Sequence, residues 1–245
     1  MRIGRDSVYR ITPRSVAVAI GGLGLVLLPA AFARQLLRHK KPSRGAGVNL
    51  FDRMAIGKHS QPAERLGNLG TTVGIATPLV VDWVDTRGEP KTFLEDAVVI
   101  GQALALNGAL NQAVKYLVQR PLPETYFGVV RNRIGKMRGY RAFYSGHVST
   151  LATALAAGCI TVRMRHGRLP WLWPWVLSAA ITGLVGLGRI YSGKHFPSDV
   201  LVAAPIGAAV GAAVPLLHVR TGRLTRVWAR LRGQNRWRAA ARRLL

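Results

Sequence analysis

The stretch Gly188-Arg189-Ile190-Tyr191-Ser192-Gly193-Lys194-His195-Phe196-Pro197-Ser198-Asp199 sets an arginine, a histidine and an aspartate in the spacing Arg-x5-His-x3-Asp, between two long apolar runs. An aspartate four residues after a histidine lies one helical turn away, where its carboxylate can fix the imidazole ring. The neighbouring guanidinium can hold an anion. A histidine in these surroundings is a candidate nucleophile for phosphoryl transfer. The apolar runs decide the fold, because they place this polar chemistry at the ends of hydrophobic helices.

Working outward, six apolar segments can be read, at about 16–33, 66–84, 97–118, 148–162, 169–188 and 200–219. Most approach the roughly 20 residues that cross about 30 Å of hydrocarbon. The second and fourth are short enough to need charged flanks or tilting. Strand-like alternation is not sustained anywhere, and the abundant Ala and Gly suit close helix packing in lipid. The expectation is an all-α, polytopic membrane bundle of about six transmembrane helices. A length of 245 residues, 49% hydrophobic composition and a mean hydropathy of +0.17, with no extended polar linker, favour one integrated membrane domain over 1–245. Its catalytic core is expected at about 97–219, with a basic tail at 220–245.

The formal charge of +25 would ordinarily point to nucleic acid, so its placement must decide. Much of it lies between or beyond the apolar segments. The tail carries Arg220, Arg223, Arg226, Arg230, Arg232, Arg236, Arg238, Arg242 and Arg243 with Leu224, Val227, Trp228, Leu231 and Trp237 interleaved. That pattern reads as a basic amphipathic helix on an anionic cytoplasmic leaflet, not a nucleic-acid surface. With both termini cytoplasmic, six crossings place the tail and the run Arg163-Met164-Arg165-His166-Gly167-Arg168 inside, as the positive-inside tendency asks. The basic stretch 34–65 then falls outside, against that tendency, and an interfacial stretch there or a non-spanning first segment would resolve the conflict. Cleavage after Ala31-Phe32-Ala33 is the alternative for the first segment, but a retained helix is favoured because the apolar run is long for a signal peptide.

Cys159 is the only cysteine, which excludes an intramolecular disulfide and a multi-cysteine zinc site. Asp85-Thr86-Arg87-Gly88-Glu89-Pro90 reads as a turn between helices. Trp171, Trp173 and Trp175 border an apolar segment and fit an interfacial aromatic belt. Arg131, Arg133, Lys136, Arg138 and Arg141 form a basic outer loop suited to anionic lipid headgroups.

Two further clusters fall on the same side as the opening stretch: Lys115-Tyr116-Leu117-Val118-Gln119-Arg120-Pro121-Leu122-Pro123, and Tyr144-Ser145-Gly146-His147. Lys115, Arg120 and Arg189 can converge there on an oxyanion, with a histidine on either side. Together the three clusters resemble the type-2 phosphatidic acid phosphatase superfamily, which includes membrane lipid phosphatases and vanadium haloperoxidases. The third motif of that family, Ser-Arg-x5-His-x3-Asp, is matched at Arg189, His195 and Asp199, with Gly188 in place of serine. The second, Pro-Ser-Gly-His, is matched at Ser145, Gly146 and His147, with Tyr144 in place of proline. The first, Lys-x6-Arg-Pro, is matched at Lys115 and Pro123, with Leu122 at the arginine position and Arg120 as a substitute two residues earlier.

The resemblance implies a phosphatase needing no metal or other cofactor. In that scheme His195 attacks phosphorus, Asp199 fixes its tautomer, and His147 protonates the leaving oxygen and later activates water. Lys115, Arg120, Arg189, Ser145 and the Gly146 backbone N–H are the implied phosphate ligands. The implied substrate is a lipid phosphate or pyrophosphate at the outer face of a bacterial-type inner membrane. Polyprenyl pyrophosphate is slightly preferred over phosphatidic acid, phosphatidylglycerol phosphate and a lipid A phosphate. A catalytically weakened lipid-phosphate-binding or scaffold protein is the alternative that Leu122, Tyr144 and Gly188 raise. Haloperoxidase chemistry is disfavoured by the apolar segments.

Overall fold

The computed structural model describes residues 8–9, 11–31, 47–128, 137–166 and 172–219. The basic tail, Trp171, Arg131, Arg133, Lys136 and the first part of the basic stretch after the first apolar segment lie outside the described residues. Those described form an all-helical bundle: α1 (Pro13–Ala31), α2 (Leu50–Arg53), α3 (Gln61–Asp85), α4 (Pro90–Val118), α5 (Gly146–His166), α6 (Leu172–Tyr191) and α7 (Pro197–His218). Short 3-10 turns at Pro123–Gly128 and Met137–Tyr140 interrupt the α4–α5 connection.

Each apolar segment became a helix, and all of these helices except α6 begin a few residues before their apolar runs, in first turns that carry polar residues or proline. Glu89 caps α4 by accepting from the Lys91 and Thr92 N–H groups at 3.2 and 2.6 Å, with Pro90 in the first turn. Ser60 caps α3 from the Ala63 N–H at 3.3 Å. Such caps satisfy donors that the first helical turn leaves open. The expected turn at 85–90 is present, with Arg87 and Gly88 at positive φ.

Among the described residues three helices, α4, α6 and α7, are long and apolar enough to cross a membrane. The outward faces of α3, α6 and α7 expose Leu69, Val73, Val80, Leu184, Leu187, Leu201 and Leu217. α5 differs. It packs most heavily on α7 and also against α3, α4 and α6, and it is buried on nearly all sides, so its small residues serve close packing in the bundle centre. Thr153 Oγ1 donates across to the Gly207 carbonyl at 2.9 Å. α1 packs on α4.

Consecutive long helices alternate in direction. Tyr9 donates or accepts at Thr161 Oγ1 over 2.8 Å and pairs with Val219 in an isolated bridge, so both ends of the described chain meet the C-terminal end of α5. The last turn of α4, the start of α5, the end of α6 and the start of α7 gather at the opposite end, about 30 Å away by the rise of a 21-residue helix.

Arg165 was expected among the positive charges of an exposed loop. Instead it lies in the last turn of α5 with its guanidinium buried. Its Nη2 donates to Asp82 Oδ1 at 2.7 Å and also to Asp96, and its Nη1 donates to Asp85. His166 meets Asp85 Oδ1 at 2.7 Å. Three carboxylates from α3 and α4 leave this cation no reason to seek solvent.

Candidate active site

The polar end of the bundle is assembled from helix termini. α4 brings Lys115 in its last turn and stops at Gln119, which takes a left-handed conformation. The chain then turns back along 137–142: the Leu122 N–H donates to the Gly139 carbonyl at 2.8 Å and the Ala142 N–H to the Arg120 carbonyl at 3.0 Å. α5 starts at Gly146 with His147 as its second residue. α6 delivers Arg189, and the turn 192–196 carries His195 between α6 and α7.

Lys115, His147, Arg189 and His195 are electrostatic neighbours of one another, and Asp199 lies in the same group. The three sequence clusters therefore meet. A side chain at Gly146 would stand 3.4 Å from the Lys115 ammonium and 3.0 Å from Asn111 Oδ1, so glycine is what lets α4 approach the start of α5. Ser145 is fully buried; its N–H donates to the Asp199 carbonyl at 3.2 Å, while its hydroxyl has no partner among the described residues. Arg189 is buried and donates from Nη1 to Asn68 Oδ1 at 2.9 Å. Asn111 steadies the second motif by donating to the Tyr144 carbonyl at 2.9 Å.

His195 is held by an acceptor that has no side-chain signature. Its Nδ1 donates to the Ala142 carbonyl at 2.7 Å, which leaves Nε2 with the lone pair. The expected orienting group, Asp199, stands at 3.7 Å from Nδ1. Asp199 Oδ2 instead accepts the Phe196 N–H at 2.8 Å, capping α7, and Oδ1 accepts Arg120 Nη1 at 2.5 Å. Burial pushes the His195 pKa down to about 4, with the Asp199 interaction working in the opposite direction, so the ring is neutral at pH 7.

Arg120 corrects the sequence reading most. Expected as a phosphate ligand, it gives three of a guanidinium's five N–H donors to protein: Nη1 to Asp199 and to Ser198 Oγ at 2.8 Å, and Nη2 to Asp52 Oδ2 at 2.7 Å. Its guanidinium carbon lies over the Phe196 ring, 4.1 Å from the centroid. Leu122, at the position of the family arginine, is buried with Val48, Ala55, Tyr126, Ala142, Ile190 and Phe196. An Arg-Pro dipeptide does occur, at Arg120-Pro121, two residues earlier than the motif places it.

The other departures have packing reasons. Gly188 lies where α6 crosses α3, and a Cβ there would stand 3.1 Å from the Ala63 carbonyl and 3.5 Å from Gly67 Cα; a serine would crowd the crossing. Tyr144 is buried with Val148 and Ala203. Lys194, between the site residues, is neutralised by Glu124 at 2.8 Å and Glu64 at 3.3 Å. Asp52, Asn68, Asn111 and Glu124 were not anticipated.

The sequence model of the PAP2 superfamily matches residues 96–223, more than half of the chain. Lipid A 1-phosphatase of Porphyromonas gingivalis is 28% identical over 149 residues, which is 60% of this chain and 29% of that protein. The chain thus matches under a third of the length of that relative. No solved structure gives a significant match.

Proposed function

Because this chain belongs to the PAP2 superfamily, and three of its helices are long and apolar enough to cross a membrane, we propose that it is an integral-membrane phosphatase acting on a lipid phosphate or pyrophosphate. The observation that carries the reading is the meeting of His147 and His195 with Lys115 and Arg189 at one end of the bundle. His195 there has its Nδ1–H committed to Ala142.

In the proposed reaction the neutral Nε2 of His195 attacks phosphorus, the bond from phosphorus to the lipid oxygen breaks, and His147, protonated when the anionic phosphate is bound beside it, delivers a proton to that oxygen. The phosphohistidine carries a positive ring, stabilised by Asp199 with the Ala142 carbonyl. His147, now neutral, takes a proton from water; the hydroxide attacks phosphorus, the P–N bond breaks, and phosphate leaves. Lys115 and Arg189 neutralise the phosphoryl oxygens, with the Ser145 hydroxyl and the Gly146 N–H as hydrogen-bond donors. Arg120 acts behind Asp199 and not on phosphate.

The proposed architecture is one membrane domain of six spans with both termini cytoplasmic, a basic tail on the anionic leaflet, and the site facing the periplasm or cell exterior. Placement of the site at the end opposite Tyr9 and Val219 supports it. The name of the P. gingivalis relative makes a lipid A 1-phosphate the first substrate to try, ahead of the polyprenyl pyrophosphate preferred from sequence. The decisive assay measures phosphate release by purified protein from lipid A, polyprenyl pyrophosphate, phosphatidic acid and phosphatidylglycerol phosphate, with His195→Ala as control. Release that survives this substitution would defeat the mechanism.

The second reading, a lipid-phosphate-binding protein with little turnover, rests on Leu122 being packed in an apolar cluster and Arg120 being tied to carboxylates. Saturable lipid-phosphate binding with no release would favour it.

A further inference from the structure

We propose that Asp52, which lies outside the family-matched region, is a positioning residue for this centre, acting through Arg120 and the first turn of α7 on Asp199 and His195. The inference rests on the reading of His195 as the phosphoryl acceptor.

Asp52 is fully buried and both carboxylate oxygens accept hydrogen bonds. Oδ1 accepts the Ser198 N–H at 2.9 Å. Oδ2 accepts the Ser198 hydroxyl at 2.7 Å, Arg120 Nη2 at 2.7 Å and Asn49 Nδ2 at 3.0 Å. These donations outweigh the effect of burial and hold its carboxyl below the usual carboxylate range. Asn49 also accepts the Asp52 N–H at 2.8 Å and so fixes the short helix α2 that presents the carboxylate. The segment is docked on the site by Val48 and Ala55, which share an apolar cluster with Phe196, the residue next to His195.

Charge counting gives this contact a purpose. Arg120 alone would cancel Asp199, leaving nothing to offset a positive imidazole. Asp52, Arg120 and Asp199 together carry one net negative charge, which matches the single positive charge that His195 gains on bonding to phosphorus. The same contact removes Arg120 from competition for the substrate phosphate. Asp52 thereby restores to Asp199 the charge that Arg120 takes away.

The test uses the full chain in detergent, with wild type, Asp52→Asn, Arg120→Met and the double variant. Two readouts are taken: affinity for orthovanadate, a phosphate analogue able to adopt the five-coordinate geometry of phosphoryl transfer, and phosphate release from the lipid panel. Outer-shell partners that orient metal ligands matter by about 10–100-fold, and the same scale is taken for a partner that orients a nucleophile. Asp52→Asn is expected to lose that much in kcat and in orthovanadate affinity, with KM changed less than kcat. The double variant should be no worse than Arg120→Met, because residues acting in one chain are not additive. Unchanged affinity and turnover in Asp52→Asn, or losses that simply add, would overturn the proposal. If Asp52→Asn does not fold, Ser198→Ala removes the hydroxyl shared by Asp52 and Arg120 and should show a smaller loss of the same kind; wild-type behaviour there would overturn it equally. Wild-type protein that binds orthovanadate through His195 but releases no phosphate would defeat the hydrolase reading, and the orthovanadate series would still decide Asp52. Wild type that neither binds nor hydrolyses would defeat both.

Discussion

The two ends of α5 both bury charge, with different balances. At its C-terminal end one guanidinium, Arg165, is met by Asp82, Asp85 and Asp96. At its N-terminal end Lys115, Arg189, Arg120 and Lys194 gather around two histidines. The chain has ten acidic residues against 35 basic ones, so carboxylates are scarce and their allocation is informative. Asp52 and Asp199 are spent on Arg120, Glu64 and Glu124 on Lys194, and three aspartates on Arg165. Lys115 has no carboxylate within ion-pair distance among the described residues. At the C-terminal end the one buried guanidinium is surrounded by carboxylates and the cluster is a fastening; at the N-terminal end the four carboxylates are paired with Arg120 and Lys194 and none with Lys115, so the ammonium of Lys115 is placed to meet an anion from outside.

Substitutions should separate the two ends. The largest effect is expected from His195→Ala at the N-terminal end, which removes the group that attacks phosphorus and should cost at least about 10³-fold in kcat, in the manner of other nucleophile deletions. Thermal unfolding in detergent should change little. The reverse pattern is expected of Arg165→Met. Removing one partner of a buried ion cluster leaves carboxylates without compensation and commonly costs about 3–5 kcal/mol. Unfolding should therefore occur at much lower temperature, while folded protein keeps its turnover. A kcat that falls with Arg165→Met, measured below its unfolding transition, would mean that the ends are coupled through α5 and would break the contrast.

The same contrast shows what the sequence could and could not reveal. Six apolar runs were sufficient to find the long helices, since hydrophobic length is a local property. They missed the polar first turns, so α4 begins at Pro90 although its apolar run starts near residue 97. That Lys115, His147, Arg189, His195 and Asp199 would gather at one end of the bundle could be anticipated because each motif fixes its residues by local spacing. Partners supplied from afar were not. Asp52 meets Ser198 across 146 positions, and nothing in Asn49-Leu50-Phe51-Asp52 announces it. The Ala142 carbonyl is invisible to any motif, because every residue has one. Arg165 read as a loop charge because three aspartates on other helices cannot be seen from Arg163-Met164-Arg165-His166.

Leu122→Arg sharpens the comparison at the N-terminal end. It restores the family residue in sequence, but the side chain sits among Val48, Tyr126, Ala142 and Phe196, and Arg120 already occupies the ionic position beside Asp199. A larger, charged side chain in a packed cluster costs about 1–3 kcal/mol in overpacking alone. Stability should fall and phosphate release should not rise. A gain in release would show that Arg120 is an imperfect substitute and that the cluster can open to admit a guanidinium.

The smallest expected effect concerns acid. A solvent-exposed histidine has a pKa of about 6.5, whereas burial brings His195 down to about 4. Only the neutral ring can attack, so protonation removes the nucleophile. The sign follows directly: kcat/KM, which reports the free enzyme, should lose its His195-dependent factor as pH falls through about 4 and not through the ordinary histidine range. Asp199 favours the charged ring, so Asp199→Asn should move this acid limb to still lower pH. A limb near 6.5 in the wild type would place His195 in water during turnover. The neutral, enclosed ring that distinguishes this end of α5 from the fastened one would then be absent from the working enzyme.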